Sequence, residues 1–257
     1  MSKLHNLKNN LYLTIAEYFI FWSNISLKRW NPRIIAVTGS VGKTTMLNLL
    51  DNQLGQEAHY SHRANSSFGI AFDIVGLRGI TDSRLRWLWL FFAVPCRSLF
   101  FQHKQKFYVV EIDSERPKEA ELIASWLKPE VCLWVSVGNS HAVYYDNLIK
   151  NGTFKSVEEA IAHEFATIPR HTQKLVLIDK TNHLMQINTS GLPVQVIGVD
   201  NIPTDYKVTA EQTTFIIDSL IFKFSFPVTR DVTIQLKMLS HLMNYLNLPL
   251  STDLAKY

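Results

Sequence analysis

The segment RIIAVTGSVGKTT, residues 33–45, decides the fold of this chain. Its first part, Arg33–Thr38, is a short β-branched run that predicts a buried strand. The part TGSVGKTT, residues 38–45, leads into a predicted helix over Thr44–Leu54. A glycine-containing loop between a buried strand and a helix is the setting in which backbone N–H groups surround a phosphate. The segment therefore predicts an α/β domain with a phosphate-binding loop.

The loop residues have separate roles in binding a nucleotide. Gly39 and Gly42 let the backbone turn its N–H groups inward. We expect Lys43 to neutralise the β- and γ-phosphates and Thr44 to bind Mg²⁺ through its hydroxyl. The loop is shorter than the common pattern, because Val37 stands where that pattern has its first glycine. The residues expected to contact the nucleotide in this loop are Thr38, Gly39, Ser40, Val41, Gly42, Lys43, Thr44 and Thr45.

Downstream of the loop, apolar runs alternate with helical segments. Helices are predicted over Ser114–Leu127 and over Ser156–Ala166, where Ser156 and Glu159 form a capping box. The further predicted strands are Phe107–Ile112, Val131–Val137, Lys174–Asp179 and Val194–Val199. This alternation predicts a three-layer α/β fold with a mainly parallel sheet and helices on both faces.

The pattern changes after residue 205. Phe215–Ile217 and Leu220–Phe226, on either side of Asp218-Ser219, predict a hairpin, which we expect as an antiparallel pair at the sheet edge. The resulting division of the chain is a helical segment over 1–31, an ATP-binding domain over 32–226 and a helical tail over 227–257.

Composition and charge narrow the function classes. Hydrophobic residues make up 47% of the 257 residues, which excludes a chain that is disordered throughout. The net charge of +4 suits a protein that handles anions such as nucleotides. It is too small to predict a nucleic-acid-binding protein, and no Lys/Arg run is present. The two cysteines, Cys96 and Cys132, exclude a disulfide scaffold and indicate a reducing, cytoplasmic location.

Two apolar stretches raise the question of a membrane. Leu11–Trp22 resembles a signal peptide, but Glu17 interrupts it and no cleavage site follows, which favours an amphipathic helix that packs on the domain or makes a peripheral contact with a membrane surface. Trp87–Cys96 is shorter than the ~20 residues of a membrane span. Its two interpretations are a helix that packs in the core and a peripheral contact with a membrane or a hydrophobic partner. The aromatic group over residues 87–101 keeps the second interpretation open, with the inner membrane face as the expected surface.

Further motifs follow the loop in a recognisable order. They are Asn65-Ser66 with Gly69-Ile70, Glu111 in the strand FYVVEI, Pro117 with Glu119, Pro129-Glu130-Val131, and Val135-Ser136-Val137-Gly138 with His141. Together with the loop, this order resembles the central ATP-binding domain of the Mur ligases, the ATP-dependent amide ligases of peptidoglycan synthesis. The resemblance runs from about Pro32 to about Val199 and is closest to the branch that adds D-alanyl-D-alanine to UDP-muramoyl tripeptide.

The resemblance implies a set of site residues. Glu111 and His141 match the family's metal-binding residues, so Thr44, Glu111 and His141 are the implied ligands of Mg²⁺. Asn65 matches the asparagine loop beside the nucleotide. Lys43, Glu111 and His141 are the implied catalytic residues. Their positions after parallel strands agree with where ligands bind in open α/β sheets, and a carboxylate suits Mg²⁺.

The sequence also departs from the family pattern. Lys118 stands at the family's glycine before the helix glutamate, and Ser136 replaces an asparagine. His163 stands where the family carries a carbamylated lysine, and a neutral imidazole cannot replace that anion. Residues 179–182, DKTN, replace the pattern NxDD. Asp113 is interpreted as the cap of the next helix rather than as a site residue.

The implied function is that of an ATP-dependent amide ligase that acts on a UDP-muramoyl peptide with ATP and Mg²⁺. The segments outside 32–226 are too short for the family's UDP-sugar and C-terminal domains. We therefore expect the chain to depend on a partner chain that supplies the missing domain. The alternative is a non-catalytic ATP-binding module, or a ligase remnant, that acts through a partner. A generic phosphate-loop kinase or GTPase is disfavoured, since the Asn-Lys-x-Asp guanine motif is missing.

Overall fold

A computed structural model describes residues 3–62, 64–78, 83–113, 116, 118–138, 149, 152–200, 203–229, 231–252 and 254. The strands are β1 (Arg33–Thr38), β2 (Ala58–Tyr60), β3 (Phe107–Ile112), β4 (Val131–Trp134), β5 (Leu175–Asp179), β6 (Gln195–Val199), β7 (Thr204–Val208), β8 (Thr213–Ile217) and β9 (Leu220–Phe224). The helices are α1 (Lys3–Trp30), α2 (Lys43–Leu54), α3 (Ser67–Ile74), α4 (Arg84–Phe100), α5 (Glu119–Leu127), α6 (Val157–Phe165), α7 (Thr167–His171), α8 (His183–Thr189) and α9 (Asp231–Leu246).

The first six strands form one parallel sheet in the order β2-β3-β1-β4-β5-β6. β1 is central: Val37 pairs with Glu111 of β3 on one side and with Leu133 of β4 on the other. The predicted three-layer α/β fold with a parallel sheet is therefore confirmed. The chain runs from β1 to β2 and β3 on one side and then to β4 on the other. This order creates a switch point at the carboxyl end of β1, where open sheets bind their ligands.

Both faces of the sheet are covered, which explains why β1 and β3 are almost wholly apolar. Ile35 and Val37 face a core that includes buried side chains of α2 and α9. Ile34 and Ala36 face the opposite core, which includes buried side chains of α5 and α6. Helix α2 is thus held on the sheet by its own leucines, and its first turn is fixed beside the phosphate loop.

The predicted hairpin is confirmed, but it lies in a sheet of its own. β7, β8 and β9 form a three-stranded antiparallel sheet instead of extending the edge of the parallel one. Asp218 and Ser219 join β8 to β9 with φ of 50° and 67°, as a two-residue hairpin turn requires. No sequence pattern predicts β7, because Thr204–Val208 is mostly exposed and has no apolar run.

Other boundaries differ locally from prediction. The predicted strand Val131–Val137 ends at Trp134, because the chain then leaves the sheet to contact the phosphate loop. The Ser156 hydroxyl accepts a hydrogen bond from the Glu159 N–H at 3.1 Å, which confirms the helix start. The Glu159 carboxylate accepts from the Lys155 N–H at 2.8 Å, one residue before the capping position.

The two apolar stretches form helices α1 and α4, which pack together with α3. Their shared core contains Phe19, Phe72, Leu90 and Val94, all buried. Each of the two helices therefore buries one face in the core, as the packing interpretation predicts. Within the described part of the chain, no helix combines the length and the apolar character that crossing a membrane requires.

Helix α5 begins with a strained residue at the family's glycine position. Lys118 has φ of 74°, a left-handed conformation that glycine adopts without cost. Glu119 follows and is buried, and its carboxylate accepts hydrogen bonds from the Tyr12 hydroxyl at 2.6 Å and the Ser67 N–H at 3.1 Å. Because α1, α3 and α5 meet at Glu119, the strained turn before it has little freedom to relax.

Replacing Lys118 with glycine should stabilise the protein. Relief of the left-handed strain is worth about 1–2 kcal/mol, and the added freedom of the unfolded chain removes about 0.4–1 kcal/mol. We expect Lys118→Gly to raise the free energy of unfolding by about 0.5–1 kcal/mol, measured by urea denaturation. The control is Lys155→Gly, at an exposed position without a positive φ. Equal destabilisation by both changes would contradict the account.

Candidate phosphate and metal site

The phosphate loop depends on two glycines in conformations that other residues avoid. Gly39 has φ of 138°, and a Cβ atom there would lie 2.8 Å from the backbone N and O of Ser136. Gly42 has φ of 82°, and its Cβ would lie 2.2 Å from the Gln235 amide nitrogen. Gly39 has no room for a side chain, whereas at Gly42 the Gln235 side chain would have to move and the positive φ disfavours any other residue. The loop is therefore pressed between the segment after β4 and helix α9.

Ser136, in the segment after β4, holds the loop by hydrogen bonds. Its hydroxyl accepts a hydrogen bond from the Val41 N–H at 2.8 Å and donates to the Val41 carbonyl at 2.7 Å. Its carbonyl accepts from the Ser40 N–H at 3.3 Å, while the Ser40 hydroxyl accepts from the Gly138 N–H at 2.8 Å. In sequence, Ser136 is only a departure from the pattern of the Mur ligases, and its contact with the loop is not predicted. The missed signal was a hydroxyl residue just past a strand that borders the loop.

Lys43 is buried beneath the loop with two partners. Its ammonium donates to the Gly39 carbonyl at 2.6 Å and lies 3.4 Å from the Asp113 carboxylate. The interpretation of Asp113 as a helix cap is wrong, since α5 begins at Glu119 and has Lys118 at its N-cap. Asp113 instead extends from the end of β3 toward the loop lysine, because β3 lies directly beside β1.

Glu111, on β3, is 8% exposed and lies in the same group. Burial raises the pKa of this carboxyl above its usual range, and the nearby Asp113 raises it further. Lys43 and hydrogen bonds with Asn65 and Thr44 act in the opposite direction but do not cancel the effect of burial. The Asn65 carbonyl also accepts a hydrogen bond from the Asp113 N–H at 3.0 Å. The structure thus brings Lys43, Thr44, Asn65 and Glu111 together.

This donor set fits a hard divalent cation. Glu111, Asp113 and Thr44 offer carboxylate and hydroxyl oxygens, which Mg²⁺ prefers. A cation would also favour the ionised form of Glu111, which burial opposes. Among the described residues, no three His, Cys, Asp or Glu side chains form a group that could hold a metal by themselves. The implied ligand His141 lies outside the described residues.

His163 lies in different surroundings. Its ring is 5.2 Å from that of Phe154, and burial lowers its pKa, with Arg170 adding to the effect and Glu121 opposing it. Among the described groups that act on it, none belongs to the phosphate loop or to β3.

A cavity of about 390 Å³ opens beside the loop. Its walls come from the loop, the segment after β4, the turn after β5 and the start of α9. The lining includes Val41, Gly42, Thr45, Val135, Ser136, Val137, Asp179, Asn182, Thr229, Val232, Ile234 and Gln235. Its volume is that of an ordinary small-molecule site.

No protein-family model matches this chain, and no curated protein does either. Solved structures do match. The MurF ligase from Thermotoga maritima in complex with ADP has a TM-score of 0.69 at 16% identity, covering 92% of this chain and 51% of that one. MurF from Acinetobacter baumannii has a TM-score of 0.64 at 15% identity, covering 93% and 47%.

A third structure, the UDP-N-acetylmuramoylalanyl-D-glutamyl-2,6-diaminopimelate–D-alanyl-D-alanyl ligase of Acinetobacter baumannii, has a TM-score of 0.61 at 14% identity. The match covers 90% of this chain and 46% of the chain of that ligase. The chain therefore has a Mur-ligase-like α/β fold. It spans about half the length of the MurF ligases that it matches.

The raised pKa of Glu111 predicts a pH-dependent cost to stability. A carboxyl whose pKa is raised by folding stabilises the protein only while protonated, and this contribution is lost as pH rises through the folded pKa. Without divalent metal, Glu111→Gln should be more stable than the parent at neutral pH. The difference should shrink on acidification and level off below about pH 4.

The measurement is thermal or urea unfolding of both proteins with a chelator across that pH range. Glu57→Gln, at an exposed position, is the matched control and should show no such trend. A difference between Glu111→Gln and the parent that does not change with pH would contradict the placement of an ionising, buried carboxyl beneath the loop.

Proposed function

We propose that this chain is the ATP-binding part of a Mur-type amide ligase that activates a carboxylate through an acyl phosphate. The observation that carries the proposal is the placement of Lys43, Asp113 and Glu111 beneath a tight glycine loop at the switch point of the sheet. A lysine, a hydroxyl and two acidic side chains around a phosphate loop are the parts that phosphoryl transfer requires.

The proposed reaction has two steps. A substrate carboxylate oxygen attacks the γ-phosphorus, the bond from phosphorus to the β-bridging oxygen breaks, and ADP leaves. An amine then attacks the acyl carbon, and inorganic phosphate and a proton are released. No protein nucleophile is needed, so the role of the chain is positioning and charge stabilisation.

Lys43 is the residue that would offset the charge on the transferring group. Its ammonium is buried, so its attraction for a phosphate would be screened little by water. Thr44, Glu111 and Asp113 would hold Mg²⁺, which when bound neutralises charge on the β- and γ-phosphate oxygens. The implied metal ligand His141 stays part of the proposal on the strength of the sequence resemblance.

The neighbouring cavity would take the rest of the nucleotide. It begins at Gly42 and Thr45, where phosphates would enter, and ends at Asp179 and Asn182 after β5. These side chains offer polar atoms near the mouth of a cavity that is large enough for a nucleoside. We therefore place the phosphates in the loop and the nucleoside along the segment after β4.

The amine and the UDP-muramoyl peptide would be bound outside this domain. The MurF ligases that share the fold are about twice the length that this chain covers. We propose that the groups that bind those substrates come from a partner chain. Peptidoglycan precursor synthesis is the corresponding process.

A second candidate function is a non-catalytic ATP-binding module that acts through a partner. The observation that favours it is His163, which contacts Phe154 and does not supply an anion to the group around Glu111. Both candidates require nucleotide binding, and only the ligase requires turnover. Assays of binding and of turnover therefore distinguish them.

The first test is nucleotide binding by titration calorimetry. The chain should bind Mg·ATP more tightly than Mg·GTP, since the sequence has no guanine-recognition motif. Lys43→Ala should weaken ATP binding at least tenfold, because a charge-assisted contact with phosphate is lost. The exposed Lys104→Ala is the matched control and should bind like the parent. Equal affinity for both nucleotides, or none, would contradict the proposal.

The second test is ligation of UDP-muramoyl peptide with candidate amino acids. The chain alone should release phosphate far more slowly than the ~1–10³ s⁻¹ of ordinary enzymes, because the incoming amine is not positioned. Adding the polypeptide encoded by the neighbouring reading frame should produce the amide. Hydroxylamine should trap the activated carboxylate as a hydroxamate.

Lys43→Ala should abolish the hydroxamate, whereas Lys104→Ala should not. Full turnover by the chain alone would contradict dependence on a partner. ATP binding that never leads to carboxylate-dependent phosphate release, with or without a second polypeptide, would establish the binding module instead.

A further inference from the structure

Helix α4 has an exposed face that is entirely apolar. Every exposed side chain that the structure describes on this helix is hydrophobic or a cysteine. Phe92 is 75% exposed and Phe100 is 87% exposed. The full set, here called the α4 stripe, is Leu85, Leu88, Trp89, Phe92, Cys96, Leu99 and Phe100.

The stripe has the spacing of one helix face. Counted from Leu85, its members lie at i, i+3, i+4, i+7, i+11, i+14 and i+15, so they lie along one side of α4 over its whole length. The opposite side, with Leu90 and Val94, is buried against α1 and α3. Both sides of the helix are thus apolar, whereas a helix on the surface of a soluble domain ordinarily has a polar side that faces water. A continuous exposed patch of this kind marks an interaction surface.

Positive charge borders the stripe. The guanidinium of Arg86 lies 5.3 Å from the centre of the Trp89 ring, and that of Arg97 lies 4.3 Å from the centre of the Phe101 ring. These two arginines are three helical turns apart and follow the same margin of α4. At the carboxyl end of the helix, exposed Arg29 of α1 donates to the carbonyl oxygens of Ser98, at 2.7 Å, and Leu99.

The acidic side chain of helix α1 lies away from the α4 stripe. Helix α4 contains no acidic residue. On α1, Glu17 lines a cavity together with Lys118 and Glu121, which places it on the side of α1 that faces α5. Aromatic and aliphatic side chains with arginines at their margins match the composition of helices that lie in a membrane interface. Anionic lipid headgroups are the surface that complements this charge.

We propose that α4 docks this protein on an anionic membrane surface, with the α4 stripe inserted at the headgroup boundary and Arg29, Arg86 and Arg97 at the level of the phosphates. The helix lies in the plane of the membrane and does not cross it. The proposal is independent of the proposed ligase activity, since no residue of the phosphate loop takes part.

The cysteines allow a direct measurement of insertion. The chain has two, and Cys96 in the stripe is exposed whereas Cys132 is buried. An environment-sensitive fluorophore can therefore be attached at Cys96 alone. We expect its emission to shift to the blue with vesicles of phosphatidylglycerol and phosphatidylcholine, and to stay unchanged with phosphatidylcholine alone. Added salt should reduce the binding, because exposed charges are screened.

Sedimentation of the unlabelled full chain with the same vesicles gives the affinity. The double variant Leu88→Ser/Phe92→Ser should lower the partition coefficient at least tenfold. The matched control is Ile187→Ser/Ile221→Ser, which removes two hydrophobic side chains that are 57% and 63% exposed on other elements. The control should bind vesicles like the parent, and both variants should keep the parent's melting temperature.

Several results would overturn the proposal. One is no binding to the mixed vesicles, and another is equal binding by the stripe variant and the parent. Equal binding to vesicles with and without phosphatidylglycerol would show that the arginines do not contribute to binding. If the parent self-associates without vesicles and the stripe variant is monomeric by sedimentation velocity, the stripe is covered by a second copy and not by a membrane.

Discussion

The close approach of Gly39 to the backbone of Ser136 is the constraint on which the site depends. A single added carbon at Gly39 would lie 2.8 Å from two backbone atoms of Ser136, so only glycine fits where the loop passes the segment after β4. The Ser136 hydroxyl then holds both polar groups of Val41. Because β4 is fixed beside β1 by parallel pairing, the sheet itself sets the shape of the loop. The shape of the glycine loop thus follows from sheet topology.

The same topology explains the buried charges. β3 lies on the other side of β1, and its end brings Glu111 and Asp113 under the loop that carries Lys43. Such a group is costly to bury, and the raised pKa of Glu111 shows that its partners do not fully compensate the cost. A buried carboxyl with a raised pKa beside a loop lysine is a candidate functional group. A protein that binds a polyanion with a divalent cation recovers the cost on binding.

Much of the fold could be predicted from the residues because it depends on local signals. The β-branched run of β1, the glycines after it and the cap at Ser156 each carry their own physical reason. The loop lysine and Glu111 were found for the same reason, since each belongs to a motif at the end of a strand. β7 was missed because an exposed strand of a small sheet has no apolar run to reveal it.

The remaining features could not be predicted from local sequence, because they depend on contacts between residues that are distant in the chain. Asp113 resembled a helix cap in sequence, and only the late start of α5 leaves it available to Lys43. In sequence, Ser136 is only a departure from the family pattern, whereas in the structure its hydroxyl binds both polar backbone groups of Val41. The apolar stretch within α4 left packing and membrane contact open, because sequence periodicity cannot tell which of two apolar faces is covered. The structure shows that only the face with Leu90 and Val94 is covered by the described chain.

A crystal structure of the chain with Mg²⁺ and a non-hydrolysable ATP analogue would show whether the loop binds the phosphates. We expect the β- and γ-phosphates inside the loop, with backbone N–H groups of residues 42–44 donating to them. The Lys43 ammonium should leave the Gly39 carbonyl for a phosphate oxygen, and the metal should lie among Thr44, Glu111 and Asp113. An analogue bound elsewhere, with the loop ordered, empty and still closed by Ser136, would contradict the account.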